Sequence, residues 1–75
     1  MHPVKKDVAK YVVHFAGELA QLEALRDLRS MILRASNYDV NKLRGVDIAI
    51  DIARERMDAA QAVVSALQAY ARLLD

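Results

Sequence analysis

The stretch Val46–Leu67, VDIAIDIARERMDAAQAVVSAL, decides the fold. It contains no proline or glycine, and its apolar residues return in alternating steps of four and three. Extended to both sides, the row reads Val46, Ile50, Ala53, Met57, Ala60, Val64, Leu67, Ala71, Leu74. That period belongs to a helix laid along another helix. One position further along runs a polar stripe: Asp47, Asp51, Arg54, Asp58, Gln61, Ser65, Gln68, Arg72 and Asp75. A second apolar row flanks the first: Ile48, Ile52, Ala59, Val63, Ala66, Tyr70 and Leu73, with Glu55 interrupting it. One facing helix cannot bury both rows, so the stretch predicts a further apolar side that something else must cover.

The partner helix comes from the other half of the chain. From Val4 to Ala35 nothing stops a helix; Gly17 costs about 1 kcal/mol relative to alanine without ending one. Pro3 sits where a first turn tolerates proline. The interior breaker is Ser36-Asn37-Tyr38-Asp39. Asn37 suits a left-handed closing residue, and Asp39 reads as the N-cap of a second helix, with Tyr38 and Leu43 spaced as a hydrophobic staple. The expected organisation is a single domain over 1–75: helix one over 4–35, a loop at 36–39 and helix two over 40–74. A break at Gly45 with Asp47 as a new cap is the alternative for helix two. A loop this short makes antiparallel neighbours, so the fold class is all-α, an antiparallel two-helix hairpin.

Helix one repeats the pattern less cleanly. Its main row is Val8, Val12, Phe15, Leu19, Leu22, Leu25, Leu28, Ile32 and Ala35. The successive three-residue steps predict a local overwinding between Leu22 and Leu28. A row of small residues, Ala9, Val13, Ala16, Ala20 and Ala24 beside Gly17, lets backbones approach closely. If the main rows cover each other, the flanks remain wet, and contiguous exposed apolar surface marks an interaction site. The simplest cover is a second hairpin, giving a twofold four-helix bundle through Val13, Ala16, Gly17, Ala20, Ile48, Ile52, Val63 and Tyr70. A heterologous helix in the same groove is the rival.

Size supports association. At 75 residues and 8.4 kDa a lone core is marginal, and the chain has no cysteine for disulfides. Alanine supplies much of the 55% apolar content, with only 5% aromatic residues, which suits close helix packing. The absence of cysteine fits a reducing, cytoplasmic setting. No long uncharged apolar run suggests a membrane span, and basic residues are too sparse after Ala59 for a membrane-surface helix.

The sequence offers no catalytic constellation, metal centre or cofactor motif. His14 and Glu18, four apart with Lys10 on the same face, make a poor metal site and read as a solvated face. Asp47 and Asp51 are better explained by ion pairing with Arg44 and Arg54. Glu55 and Arg56 interrupt the apolar flank of helix two and read as an arginine lying along the surface beside a paired acid; the alternative is that they set register across a dimer seam. Net charge is +1, too balanced to indicate nucleic acid, but Arg26 to Val46 holds five basic residues against two acids. Arg29, Arg34, Tyr38, Lys42 and Arg44 at the loop end combine charge with an aromatic ring and form the expected partner-binding site, facing an acidic protein surface. The expected function is a small non-enzymatic regulator, inhibitor, adaptor or chaperone that binds another protein as a homodimer. The alternatives are a nucleic-acid-binding helical dimer using the same arginines, or a structural subunit of a helical assembly.

Overall fold

A computed structural model of the chain describes the backbone of residues 3–74 and the side chains of residues 5–74. It consists of two helices, α1 (Pro3–Arg34) and α2 (Val40–Leu73), folded back on each other as a hairpin. Their 32 and 34 residues make rods of about 50 Å, and the molecule measures 57 × 15 × 13 Å.

The turn follows the sequence closely, with one difference. Asp39 is the N-cap of α2: its extended backbone lets Oδ1 accept from the amides of Asn41 (2.8 Å) and Lys42 (3.4 Å). The cap satisfies donors that the helix start leaves open. Leu43 N then donates to the Asp39 carbonyl at 3.1 Å. The expected left-handed closure at Asn37 is not used: among the described residues none has a positive φ. Instead α1 tightens at its end, where the Ala35 amide donates to the Ile32 carbonyl at 3.2 Å, and the chain turns through Ser36 and Asn37. α2 runs through Gly45 without a break.

The α2 seam is inward along almost its whole length. Ile50, Ala53, Ala60 and Val64 are buried, and Val46, Met57, Leu67 and Ala71 are half-buried; only Leu74, beyond the helix, is exposed. Against it α1 places Leu22, 1% exposed, which packs with Ile50 and Ala53 and is ringed by Leu25, Val46 and Met57.

α1 departs from its expected row. Leu28 is 42% exposed, and Val12 and Ala35 are also exposed. At about 100° per residue, three consecutive three-residue steps carry a side chain about 180° round the helix. Leu19 and Leu28 therefore cannot share one inward face without overwinding. The structure turns Leu22 and Leu25 toward α2 and lets Leu28 go. The inward positions follow a seven-residue repeat instead, with Leu19 half-buried beside it: Val8, Phe15, Leu22 and Arg29 on one row, Glu18, Leu25 and Ile32 on the other. Two polar residues thus stand in the seam of α1.

Truncating Leu22→Ala removes the centre of this small core and is expected to cost about 2–5 kcal/mol. Asp39→Ala removes the cap and should cost about 1 kcal/mol. Urea denaturation followed by circular dichroism measures both; equal effects would contradict the burial pattern.

Candidate functional site

The hairpin has two long flanks, one on each side of its seam, and they differ in chemistry. On the first, Arg26, Arg29, Asp47, Ile50, Asp51 and Arg54 line one groove. Arg29 Nε donates to Asp47 Oδ1 at 2.6 Å, tying the helices together across the groove. Both side chains are nearly half-exposed, so the pair contributes roughly 0.2–1 kcal/mol and is screened by salt. This flank is polar on α2, continuing through Gln61 and Gln68.

The opposite flank is apolar. Reading every seventh residue beside the seam gives Ala49, Arg56, Val63 and Tyr70, and the row next to it gives Ile52, Ala59, Ala66 and Leu73. Together they step by three and four without exception. They form a second seam on α2, about 100° round the helix from the first. Ile52 is 47% exposed, Val63 41%, Tyr70 51% and Leu73 82%. α1 contributes a matching row on the same side: His14, Gly17, Gln21, Ala24, Leu28 and Met31, again in steps of three and four. Leu28 and Met31 are exposed there. A side chain at Gly17 would meet nothing within 4 Å in this chain, so the hairpin itself does not require glycine there.

The two rows meet in a groove lined by Tyr11, His14, Glu18, Arg56, Ala59, Ala60 and Val63. Glu18 has only 16% of its side chain exposed; its Oε1 lies 3.7 Å from His14 Nε2, and its Oε2 is buried without a hydrogen-bond partner. A carboxylate oxygen in that position lacks the donor that buried polar atoms normally have. Among the described residues no three His, Asp or Glu side chains gather as a metal centre, and His2 lies outside them.

Of the residues expected at a dimer contact, the structure brings Gly17, Ile52, Val63 and Tyr70 to the apolar flank. Ile48 is exposed just beyond it. Val13 and Ala20 occupy the back of α1 and Ala16 its other side, all exposed. Arg56 joins Gly17, Ile52, Val63 and Tyr70 on the flank as expected, while Leu28, Met31 and Ala49 belong to the flank and escaped the sequence reading. The alternating step was the available signal, masked on α1 by leucines on three sides. Of the loop-end set, Tyr38 and Lys42 share a small groove with Ile32 and Ala35. Arg34 and Arg44 are exposed elsewhere round the same end, while Arg29 is half-buried and occupied by Asp47.

No helix among the described residues is long and apolar enough to cross a membrane. No protein-family model matches the sequence, and no curated protein or solved structure matches it either.

A double-mutant cycle on Arg29→Ala and Asp47→Ala is expected to give a coupling below about 1 kcal/mol that shrinks as salt rises. A larger, salt-independent value would place the pair in a drier environment than the hairpin provides.

Proposed function

We propose that this chain is a small non-enzymatic binding protein that works as a helical homodimer and modulates another protein, in the manner of an inhibitor, adaptor or chaperone. One observation carries the reading: the hairpin leaves a second row on each helix, including Ile52, Val63 and Tyr70 on α2 and Leu28 on α1, largely open to solvent. A compact monomer of 8.4 kDa exposes about 4,600 Å², whereas this chain exposes 5634 Å². The excess, about 1,000 Å², belongs to a rod of 57 × 15 × 13 Å in which the two helices cover only one row of each other. Covering the flank with a second hairpin gives a four-helix bundle, and the exposed loop ends then carry the specificity. Arg34, Tyr38, Lys42 and Arg44 offer an aromatic ring among cations, which suits an acidic protein surface. The absence of cysteine supports placing this activity in the reducing cytoplasm.

Sedimentation equilibrium over a range of concentrations is expected to give twice the chain mass. Arg34→Glu should then weaken capture of the partner from cell extract about tenfold or more, with the dimer mass and helical circular dichroism unchanged. Undiminished capture by that variant would reject the loop-end assignment. Binding that falls steeply with salt and is competed by nucleic acid would replace the protein partner with RNA or DNA.

A further inference from the structure

The apolar flank has an internal charge pattern that selects how a second copy lies on it. Resting on the homodimer reading above, two twofold arrangements bring this flank face to face with itself. In one the loops lie at opposite ends, and each helix runs over its own counterpart. In the other the loops lie at the same end, and α1 of each copy runs over α2 of the other.

The middle of the rod distinguishes them. The midpoint of α2 falls between Arg56 and Met57, and that of α1 between Glu18 and Leu19. Arg56 is the one charged residue in the α2 flank row, and Glu18 lines the same groove with a buried oxygen that lacks a donor. With loops at opposite ends and the rods fully overlapped, Arg56 lies on the twofold axis and faces itself. Like charges brought together in a desolvated seam repel each other with little water to screen them. With loops together, Arg56 of each copy arrives at the level of Glu18 of the other, so opposite charges meet at both crossings. Towards the loop, the apolar residues favour the same choice. Leu28 comes level with Ala49, Ala24 with Ile52, and Gly17 with Ala59, so large side chains meet small ones and the glycine meets an alanine. With loops opposed, Leu28 instead comes level with Lys10 and Met31 with Asp7.

We infer that a second copy of this chain covers the flank with both loops at the same end, α1 over α2 of the other copy, joined by reciprocal Arg56–Glu18 contacts. The dimer then presents its two basic, tyrosine-bearing loops side by side as one bivalent docking end.

The full chain has no cysteine, so single cysteines can be labelled without ambiguity. Ser36→Cys marks the loop end and Lys6→Cys the opposite end, about 45 Å away along the rod. Mixing donor- and acceptor-labelled Ser36→Cys chains is expected to give strong energy transfer, and mixing Ser36→Cys with Lys6→Cys weak transfer. The reverse pattern overturns the orientation while leaving the dimer standing. Monomer mass in sedimentation, with no transfer in either mixture, overturns the homodimer itself. Ile52→Glu changes a residue already half-exposed in the hairpin and should abolish the dimer with helical circular dichroism retained; a dimer surviving it overturns the face. Arg56→Leu should weaken dimerisation about tenfold by stranding Glu18, corresponding to about 1.4 kcal/mol; stronger dimerisation would mean that Arg56 faces its own copy.

Discussion

Two long helices joined by a short turn can bury only one stripe of each against the other, and this limit governs the molecule. Of the side chains described, only Leu22, Ile50, Ala53, Ala60 and Val64 are buried, and two of these are alanines. Alanine lets the helices run close together but removes little apolar area from water, at about 25 cal/mol per Å². The interior is therefore narrow, nearly continuous along the α2 seam and centred on one leucine. A change at Leu22 falls on a large share of the core, whereas a change at Leu33 or Val40 falls on side chains the fold already leaves exposed.

The seam of α1 is not uniformly apolar, and its two polar residues act differently. Arg29 reaches the outer edge of the groove and holds Asp47, so its charge remains partly in water and is matched. Glu18 is further in, with one oxygen near His14 and the other buried and unmatched. A hairpin seam made only of aliphatic residues tolerates sliding by a heptad. A cross-helix pair at Arg29–Asp47 penalises such a slip, since moving either helix separates the partners. The cap at Asp39 fixes where α2 begins, and the pair near the loop fixes which turns of the two helices face each other.

The helix boundaries, the N-cap and the α2 seam were legible because each rests on local chemistry. Asp39 precedes an uninterrupted helical stretch, and the α2 row repeats without competition from its polar stripe. α1 was harder for a physical reason. Leu19, Leu22, Leu25, Leu28 and Leu33 lie on several sides of the helix, so hydrophobicity alone does not say which side turns inward. α2 decides it, by offering a groove that accepts Leu22 and Leu25 and draws Glu18 and Arg29 into line with them. The same competition hid half of the candidate surface. Small residues such as Val13, Ala16 and Ala20 suggested a close contact by size, but their angular positions separate them from Ile52, Val63 and Tyr70. The apolar row of α2 could be read from spacing, while its matching row on α1 emerged only once the inward face was known.

The relation between the two α2 seams carries the argument beyond the single hairpin. A helix in a four-helix bundle touches two neighbours whose directions differ by about a quarter turn. The α2 rows differ by about 100°, and α1 carries its own second row on the same side of the hairpin. A hairpin evolved to remain alone needs only the first pair of rows and gains solubility by making the rest polar, as the Asp47–Arg54–Gln61–Gln68 side does. Maintaining a second regular row across both helices makes sense when folding and association draw on the same geometry. In that case stability depends on chain concentration, because the native hairpin is stabilised by mass action through whatever covers its second seam. The narrow core and the open flank are then two consequences of one limit: each helix turns a single row to the other, and the second row is left facing solvent.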